Sequence, residues 1–402
     1  MRKVVLLCMV GLGILSLIGA SPAAGVAPAE AVALSPEEAL AHQLALVAVS
    51  HGWTVAEAAA QYRTAEVIGS IAERVAAERP DIFVGSALSV QPLGAPTLYI
   101  KGPADKFVRE LVDASGMRII LADNQPFSFD ELEARKLRVH DVLQAQGFHN
   151  ISARVNITGG GRIPVEVTIE AGLSSMPTQI LSSLPSDLRS SIDLTVIDRP
   201  VGVDTTSFGG MLVTVSGNGN STSGFSVVHT ASGATGVTTA GHAPNAGSNG
   251  IVHPGHNVSH TLTFQAEHRG QWGDIQWHTT NYAEPDDFYL NEFTIQDVVG
   301  IEARANISLN EVVCQYGRFS NDLDCSLVVF DVSEACTING VFNDRLVLMN
   351  GITSTFGDSG GPWSYGGRAY GSQKGWCVSQ TKDAWSVADL FDEALGVTVR
   401  TN

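Results

Sequence analysis

The chain is 402 residues long, 44% apolar and only 16% charged, which is material for one large core or two smaller ones and excludes a disordered polymer. Its net charge of -17 is broken by no lysine- or arginine-rich run, which excludes nucleic acid and anionic membrane as partners.

At the start of the chain, Arg2 and Lys3 precede an apolar run from Val4 to Ile18 and then small residues at Ala20, Ala23 and Ala24. That layout predicts a secretory signal peptide, assigned to residues 1 to 29, because the run is too short for a spanning helix with ordinary flanks. Cys8 leaves with it, and a secreted, extracellular product is expected. From 30 to 198 the chain is rich in Ala, Leu, Glu and Arg, with helical spacing in SPEEALAHQLALVAV, ADKFVRELVDAS and FDELEARKLRVHDVLQAQG. Strand-like runs lie between and after them: PTLYIKG, MRIILAD, ARVNITG and RIPVEVTIEA, the last two joined as a hairpin by Gly159, Gly160 and Gly161. An α+β domain is expected there. The polar stretch SSMPTQILSSLPSDLRSS, punctuated by Pro177 and Pro185, reads as a junction or processing zone.

From 199 to 402 the texture changes to Gly, Ser, Thr, Asn and Val, with short runs such as GMLVTVSG, FSVVHTA, GVTTAGH and DCSLVVFDV. Many short antiparallel strands are predicted. In this half, after Pro200, 20 Asp and Glu outnumber 8 Lys and Arg. It also holds Cys314, Cys325, Cys336 and Cys377, an even number that in an exported chain favours two disulfides over metal binding. Of the three connectivities, Cys314–Cys325 with Cys336–Cys377 is expected, because the first closes a short hairpin-like loop.

Within this half lies FGDSGGP, Phe356 to Pro362. A serine hydroxyl is a poor nucleophile unless a base lies beside it and a third group holds that base in the right tautomer. The flanking glycines let the backbone turn sharply and present the N–H groups of Gly357 and Ser359 to the oxyanion of a tetrahedral intermediate. The stretch also satisfies G-x-S-x-G, the α/β-hydrolase elbow, but there the histidine follows the serine. The last of the 11 histidines here is His278, so that reading fails on order. Upstream, His242 in TTAGHAP follows a strand end and is presented by a turn at Gly241. For the acid, Asp274 in QWGDIQWHT sits among aromatic and apolar residues, whereas Asp286 and Asp287 lie in the polar AEPDDF.

TAGH followed by GDSGGP, with GFSVV (Gly224 to Val228) and VCQYGRFSNDLDC (Val313 to Cys325), resembles the chymotrypsin-like serine proteases, in particular the secreted bacterial branch that includes α-lytic protease and the streptogrisins. The resemblance spans residues 200 to 402. It implies an all-β catalytic domain of two antiparallel six-stranded β-barrels, with the site at their interface, preceded by the α+β segment as a pro-region. It implies a serine endopeptidase and zymogen using His242, Asp274 and Ser359, an oxyanion hole at Gly357 and Ser359, no cofactor, and two partners: a protein or peptide substrate and its own pro-region.

Some positions depart from that pattern. Ala243 and Ser221 stand where the branch carries a disulfide bracketing the histidine. Cys336 is then the free upstream candidate for Cys377. Gln315 stands where bacterial relatives place an arginine that holds the aspartate before the nucleophile, with Arg318 three residues on, which leaves the partner of Asp358 open. Lys374 in GSQKGW occupies the place of a serine on the substrate-binding strand. Thr353, six residues before Ser359, falls at the base of the specificity pocket, which points to an apolar or medium-sized side chain in the substrate rather than a basic one.

Blander readings cover the remaining chemistry-bearing residues. His253, His256 and His260 in HPGHNVSH have spacings for zinc but lie in a loop-like stretch, so no metal site is expected. Trp272, Trp277, Trp363, Trp376 and Trp385 read as core or pocket-rim aromatics. The competing function is a catalytically idle protease fold used as a binding module, which the Lys374 and Gln315 departures keep open. A glycine-rich all-β domain has many non-local strand pairings and folds slowly, so the 30 to 198 segment is expected to assist its folding. ARVNITG and RIPVEVTIEA would dock by strand pairing at a sheet edge of the C-terminal half.

Overall fold

The computed structural model describes residues 32–168, 177–197, 203–204, 210–215, 218–245, 249–253, 258–281, 284–291, 294–338, 340–379 and 381–402. The signal peptide expected at residues 1 to 29, with Cys8, lies outside the described residues, as does His256. No helix among the described residues is long and apolar enough to cross a membrane.

The N-terminal half runs β1 (Val32–Leu34), α1 (Pro36–His51), α2 (Val55–Glu78), β2 (Phe83–Ala87), β3 (Thr97–Lys101), α3 (Lys106–Ala114), β4 (Ile120–Gln125), α4 (Phe129–Ala145), β5 (Ile151–Arg154), β6 (Ile163–Thr168), α5 (Pro177–Ser183), α6 (Ser186–Arg189) and β7 (Ile192–Ile197). Its helices begin where the sequence supplies caps. Ser35, Thr54 and Ser128 each accept the N–H of a glutamate three residues on, and Glu38, Glu57 and Glu131 reach back to the cap N–H. Gly52, at φ 67°, ends α1 in the left-handed region. The expected hairpin is present, with β5 antiparallel to β6. The stretch read as a polar junction is not one from residue 177 onward. It forms α5 and α6; Ile180 of α5, Leu184 between the helices and Leu188 of α6 are buried with Leu132 and Leu143 of α4, and β7 then adds to β6 in parallel. Spacing of those three apolar residues at successive intervals of four outweighs the serines and prolines around them.

The C-terminal half begins with β8 (Val203–Asp204), β9 (Leu212–Val215), β10 (Asn218–Thr222), β11 (Ser226–His229), β12 (Thr235–Thr239), β13 (Asn249–His253), β14 (Val258–Gly270) and β15 (Gly273–Thr280). It continues with β16 (Asp287–Asn291), β17 (Thr294–Asp297), β18 (Gly300–Ile301), β19 (Cys314–Gly317), β20 (Asp322–Asp324), β21 (Val329–Ile338), β22 (Val341–Met349), β23 (Pro362–Tyr365), β24 (Arg368–Cys377), β25 (Lys382–Val387), α7 (Phe391–Leu395) and β26 (Val397–Val399). Among the described residues two large sheets form. One has the order β10-β9-β13-β14-β15-β12-β11-β26; the other runs β20-β19-β23-β24-β25-β22-β21-β5-β6-β7, with β8 and β18 paired onto β24. Each holds more than the six strands expected. In the second sheet the surplus comes partly from the N-terminal half itself. The core built by the second sheet is aromatic: Trp363 stacks on Trp385 at 6.0 Å and Tyr370 meets Trp385 edge-on, all nearly or fully buried. Cys314–Cys325 and Cys336–Cys377 are the disulfides, with Cα separations of 4.2 and 6.5 Å.

The two halves share a sheet. β5 pairs antiparallel with β21, Ala153 opposite Ala335 and Ser152 opposite Cys336. Above this seam the α4 side chain Lys136 is fully buried, its Nζ donating to Asp344 Oδ1 at 2.5 Å and to Ser333 Oγ at 2.8 Å. Glu133, one turn earlier on α4, pairs with Arg304. Burial would raise its carboxyl, but Arg304 and Lys136 hold it well below the usual carboxylate range. A buried charge left without its partner is strongly destabilising. Replacing Lys136 with Met should therefore lower the stability of the full-length chain by roughly 3–5 kcal/mol, read from urea unfolding; a loss within the scatter of surface substitutions would contradict the buried pairing.

A group of acids lies where α2 meets the C-terminal half, around a cavity of about 180 Å3 lined by Glu66, Glu73, Glu302, Glu311 and Arg368, of which Glu302 and Glu311 are buried. Glu311 is buried and accepts from Tyr370 Oη at 2.6 Å and from Ser308 N–H at 2.9 Å. Burial, and then the charge of Glu302, push its carboxyl up to about 8. Between its ordinary value and 8 the unfolded chain loses this proton while the folded chain keeps it. The contribution of Glu311 to stability is therefore present in acid and falls by roughly 1.4 kcal/mol per pH unit through that window. The isosteric Glu311→Gln cannot ionise, so its stability relative to the parent chain should rise steadily from pH 5 to pH 8 in parallel thermal melts. A gap that does not change with pH would contradict this assignment.

Candidate active site

Three elements from the two large sheets bring His242, Asp274 and Ser359 together. β12 ends at Thr239, and its register with β15 sets Thr239 opposite Gln276. Gln276 Nε2 donates to Ala240 O at 2.8 Å and to Ala243 O at 2.9 Å, fastening the turn that carries His242. Two residues earlier on the same strand, and so on the same face, lies Asp274. Its N–H donates to Ser386 Oγ of β25 at 2.8 Å, so the second sheet fixes the backbone of a residue in the first. His242 Nδ1 is 2.7 Å from Asp274 Oδ2, and His242 Nε2 is 3.2 Å from Ser359 Oγ. The carboxylate accepts from Nδ1–H, which leaves Nε2 unprotonated and facing the serine.

Ser359 sits in a turn whose glycines are required. Gly357 has φ 118° and Gly360 φ 92°, values that side chains rarely tolerate. A Cβ on Gly360 would lie 2.2 Å from Thr222 O. Thr222 ties the turn to the first sheet: its N–H donates to Ser359 O at 2.9 Å and its Oγ1 to Gly357 O at 2.8 Å. Asp358 beside the serine is held by neither Gln315 nor Arg318. It accepts the N–H groups of Phe319 at 3.0 Å, Ser320 at 3.2 Å and Thr355 at 2.9 Å. Burial raises the Asp358 carboxyl, and these backbone donors work against the shift. Gly317 makes the approach possible, since a Cβ there would lie 2.1 Å from Asp358 Cγ.

Asp274 is fully buried. Burial would push its carboxyl up, but His242, then Lys374 and Arg269, hold it well below the ordinary range. Lys374 Nζ is 3.7 Å from Asp274 Oδ2, and Arg269 Nε is 3.8 Å from Oδ1. The sequence marked Lys374 as a departure on the substrate-binding strand and gave no sign that its charge meets the acid. Gln276, Ser386 and Thr222 were not singled out at all; for Gln276 the available signal is its i+2 spacing from Asp274.

Elsewhere the other candidates fall away from the site. Asp287 lies in β16 opposite Asp297, and burial, then Asp297, push it up to about 6. Among the described residues no group of three metal-ligating side chains gathers. Burial lowers the His260 pKa. Trp277, Trp363 and Trp385 are buried, while Trp376 donates from Nε1 to Ser354 Oγ at 3.0 Å. Thr353 and Ser354 present their N–H groups to Asp383 Oδ2 at 2.8 and 3.1 Å, and Gln373 Nε2 donates to Asp383 Oδ1 at 2.9 Å. The buried carboxylate behind Thr353 is thus occupied by donors of the chain itself.

No protein-family model and no curated relative matches this sequence. Among solved structures, the chain is similar to Thermobifida fusca protease A, at 19% identity and a TM-score of 0.39 over 48% of this chain and 98% of that one. It is similar too to Cellulomonas bogoriensis chymotrypsin, at 19% identity and 0.38 over 48% and 98%, and to an α-lytic protease homologue, N4, at 18% identity and 0.37 over 48% and 99%. The resemblance is to bacterial chymotrypsin-like proteases.

Gly241 is also closely confined, because a Cβ there would lie 2.6 Å from Asp274 Oδ1 and 2.8 Å from His268 O. Gly241→Ala should cost roughly 1–3 kcal/mol through overpacking, measured by thermal or urea unfolding, and an unchanged midpoint would mean the turn is looser than described.

Proposed function

We propose that the chain is a secreted serine endopeptidase made as a precursor. The observation that carries this reading is the connected series Asp274 Oδ2, His242 Nδ1 and Nε2, and Ser359 Oγ, at 2.7 and 3.2 Å, beside glycines whose conformations present a sharp turn. In this reading Ser359 Oγ attacks the scissile carbonyl carbon as His242 Nε2 takes its proton. The amides of Gly357 and Ser359 stabilise the oxyanion. His242 returns the proton to the leaving amine, and water then releases the acyl group by the same path in reverse. Asp274 keeps the imidazole in its reactive tautomer. In the same reading the two large sheets correspond to the two barrels of the protease domain, 199 to 402, and residues 30 to 198 to a pro-region that assists folding. No feature of the site favours an idle binding module.

Two observations support a precursor. In the full-length chain Ser359 and His242 are almost wholly covered. The two-residue strand β8 pairs antiparallel with β24, Asp204 opposite Gly375 and Val203 opposite Trp376, one residue from Lys374, whose carbonyl lies 3.2 Å from Ser359 Oγ. Chain leading out of the N-terminal half therefore passes beside the nucleophile, as self-processing requires.

The test is processing followed by turnover. The parent chain should convert to a fragment whose new N-terminus, read by mass spectrometry, falls within residues 198 to 209, and that fragment should hydrolyse peptides. Ser359→Ala should remain full length, and Asp274→Asn should yield a folded protein slowed by roughly four orders of magnitude. Processing by Ser359→Ala at the parental rate in purified form would overturn the proposal.

A further inference from the structure

Lys374 is one of the largest fully buried side chains in the molecule. It sits at a bulge in β24: Gln373 faces Trp385 and Gly375 faces Ala384, with the register shifting between them. A bulge re-aims a side chain that regular pleating would direct elsewhere. Here the ammonium ends 3.7 Å from Asp274 Oδ2, the same oxygen that is 2.7 Å from His242 Nδ1. Burying an ammonium is costly unless an anion meets it, and the carboxylate it meets is the one behind the base.

We propose that Lys374 is a positioning residue that fixes the Asp274 carboxylate and, as a second basic side chain on it, lowers the basicity of His242 so that the site stays competent in acid. The inference rests on His242 being the base proposed above. The groups facing it among the described residues decide the sign. Asp274 carries one negative charge; Lys374 and Arg269 supply two positive charges at 3.7 and 3.8 Å from its oxygens. His268 on β14 accepts the Trp272 N–H through Nε2 at 3.2 Å, and burial lowers its pKa. Asp358, the other nearby acid, is turned toward the N–H groups of Phe319, Ser320 and Thr355. Protonating the imidazole brings a third cation onto one carboxylate. Lys374 and Arg269 both disfavour that step.

The experiment compares the parent protein with Lys374→Met, Lys374→Arg and Arg269→Met. Two readouts are followed against pH: kcat/KM, whose acid limb reports the base of the free enzyme, and the His242 ring signals by NMR in the full-length chain carrying Ser359→Ala. Removing the lysine charge should raise both midpoints by about one pH unit or more. Arg269→Met should move them the same way by less, and Lys374→Arg should leave them near the parental values. If Lys374→Met does not fold, the Arg269 and Lys374→Arg variants still decide the sign. Midpoints in folded Lys374→Met or Arg269→Met that overlay the parent would overturn the inference. The NMR titration needs no turnover. A His242 midpoint that moves in a protein showing no hydrolysis supports the coupling and counts against the protease reading. Hydrolysis with an unmoved midpoint does the reverse.

Discussion

One buried carboxylate organises this molecule. Asp274 lies without solvent contact between the two large sheets, and its position is set from both: by the pairing of β15 with β12 and β14 in the first, and by Ser386 of β25 in the second. An isolated charge in such a place would be neutralised or expelled. It is tolerated because His242, Lys374 and Arg269 converge on it from three different segments, so the charge that orients the imidazole also ties the sheets together. Thr222 makes the complementary tie from the first sheet to the serine turn. Neither sheet alone can assemble the three residues, which is why the chemistry sits at their junction.

The N-terminal half is joined by similar means. Its hairpin continues the second sheet through β5 and β21, with Ser152 donating to buried Glu334 Oε1 at 2.6 Å and Lys136 meeting Asp344 beneath α4. Burial pushes the Glu334 carboxyl well above its usual range, so this seam holds a buried carboxyl as well as ion pairs. Contacts of that kind demand close geometry before they stabilise anything. A segment that supplies them can favour the assembled arrangement of β21 and β22 over competing pairings, in keeping with an assistant to folding.

Much of this was legible in the sequence because it depends on local patterns. Capped helices at Ser35 and Ser128, the glycine-linked hairpin, and the motifs around His242 and Ser359 all announce themselves within a few residues. Of the two strands expected to dock on the C-terminal half, only β5 pairs there, with β21, while β6 pairs with β5 and β7. What stayed hidden depends on contacts between distant segments. Asp358 takes its partners from the backbone of Phe319 and Ser320, and backbone donors leave no residue-type signature. The helices α5 and α6 were masked by serine and proline, and only their burial against α4 reveals them. The charge role of Lys374 required knowing that a bulge turns it toward Asp274. Sheet membership is hardest to read of all, since nothing in β5 or β8 alone says which edge it will join.

The most direct measurement of the central claim is the site of covalent capture. Protein freed of its N-terminal half is treated with a fluorophosphonate, digested, and mapped by mass spectrometry, beside His242→Ala handled identically. The account predicts a single adduct, on Ser359, that is absent or far slower in the histidine variant, because only a serine backed by an oriented base reacts this way. A folded protein that takes up no probe at Ser359, or one labelled as fast without His242, would contradict it.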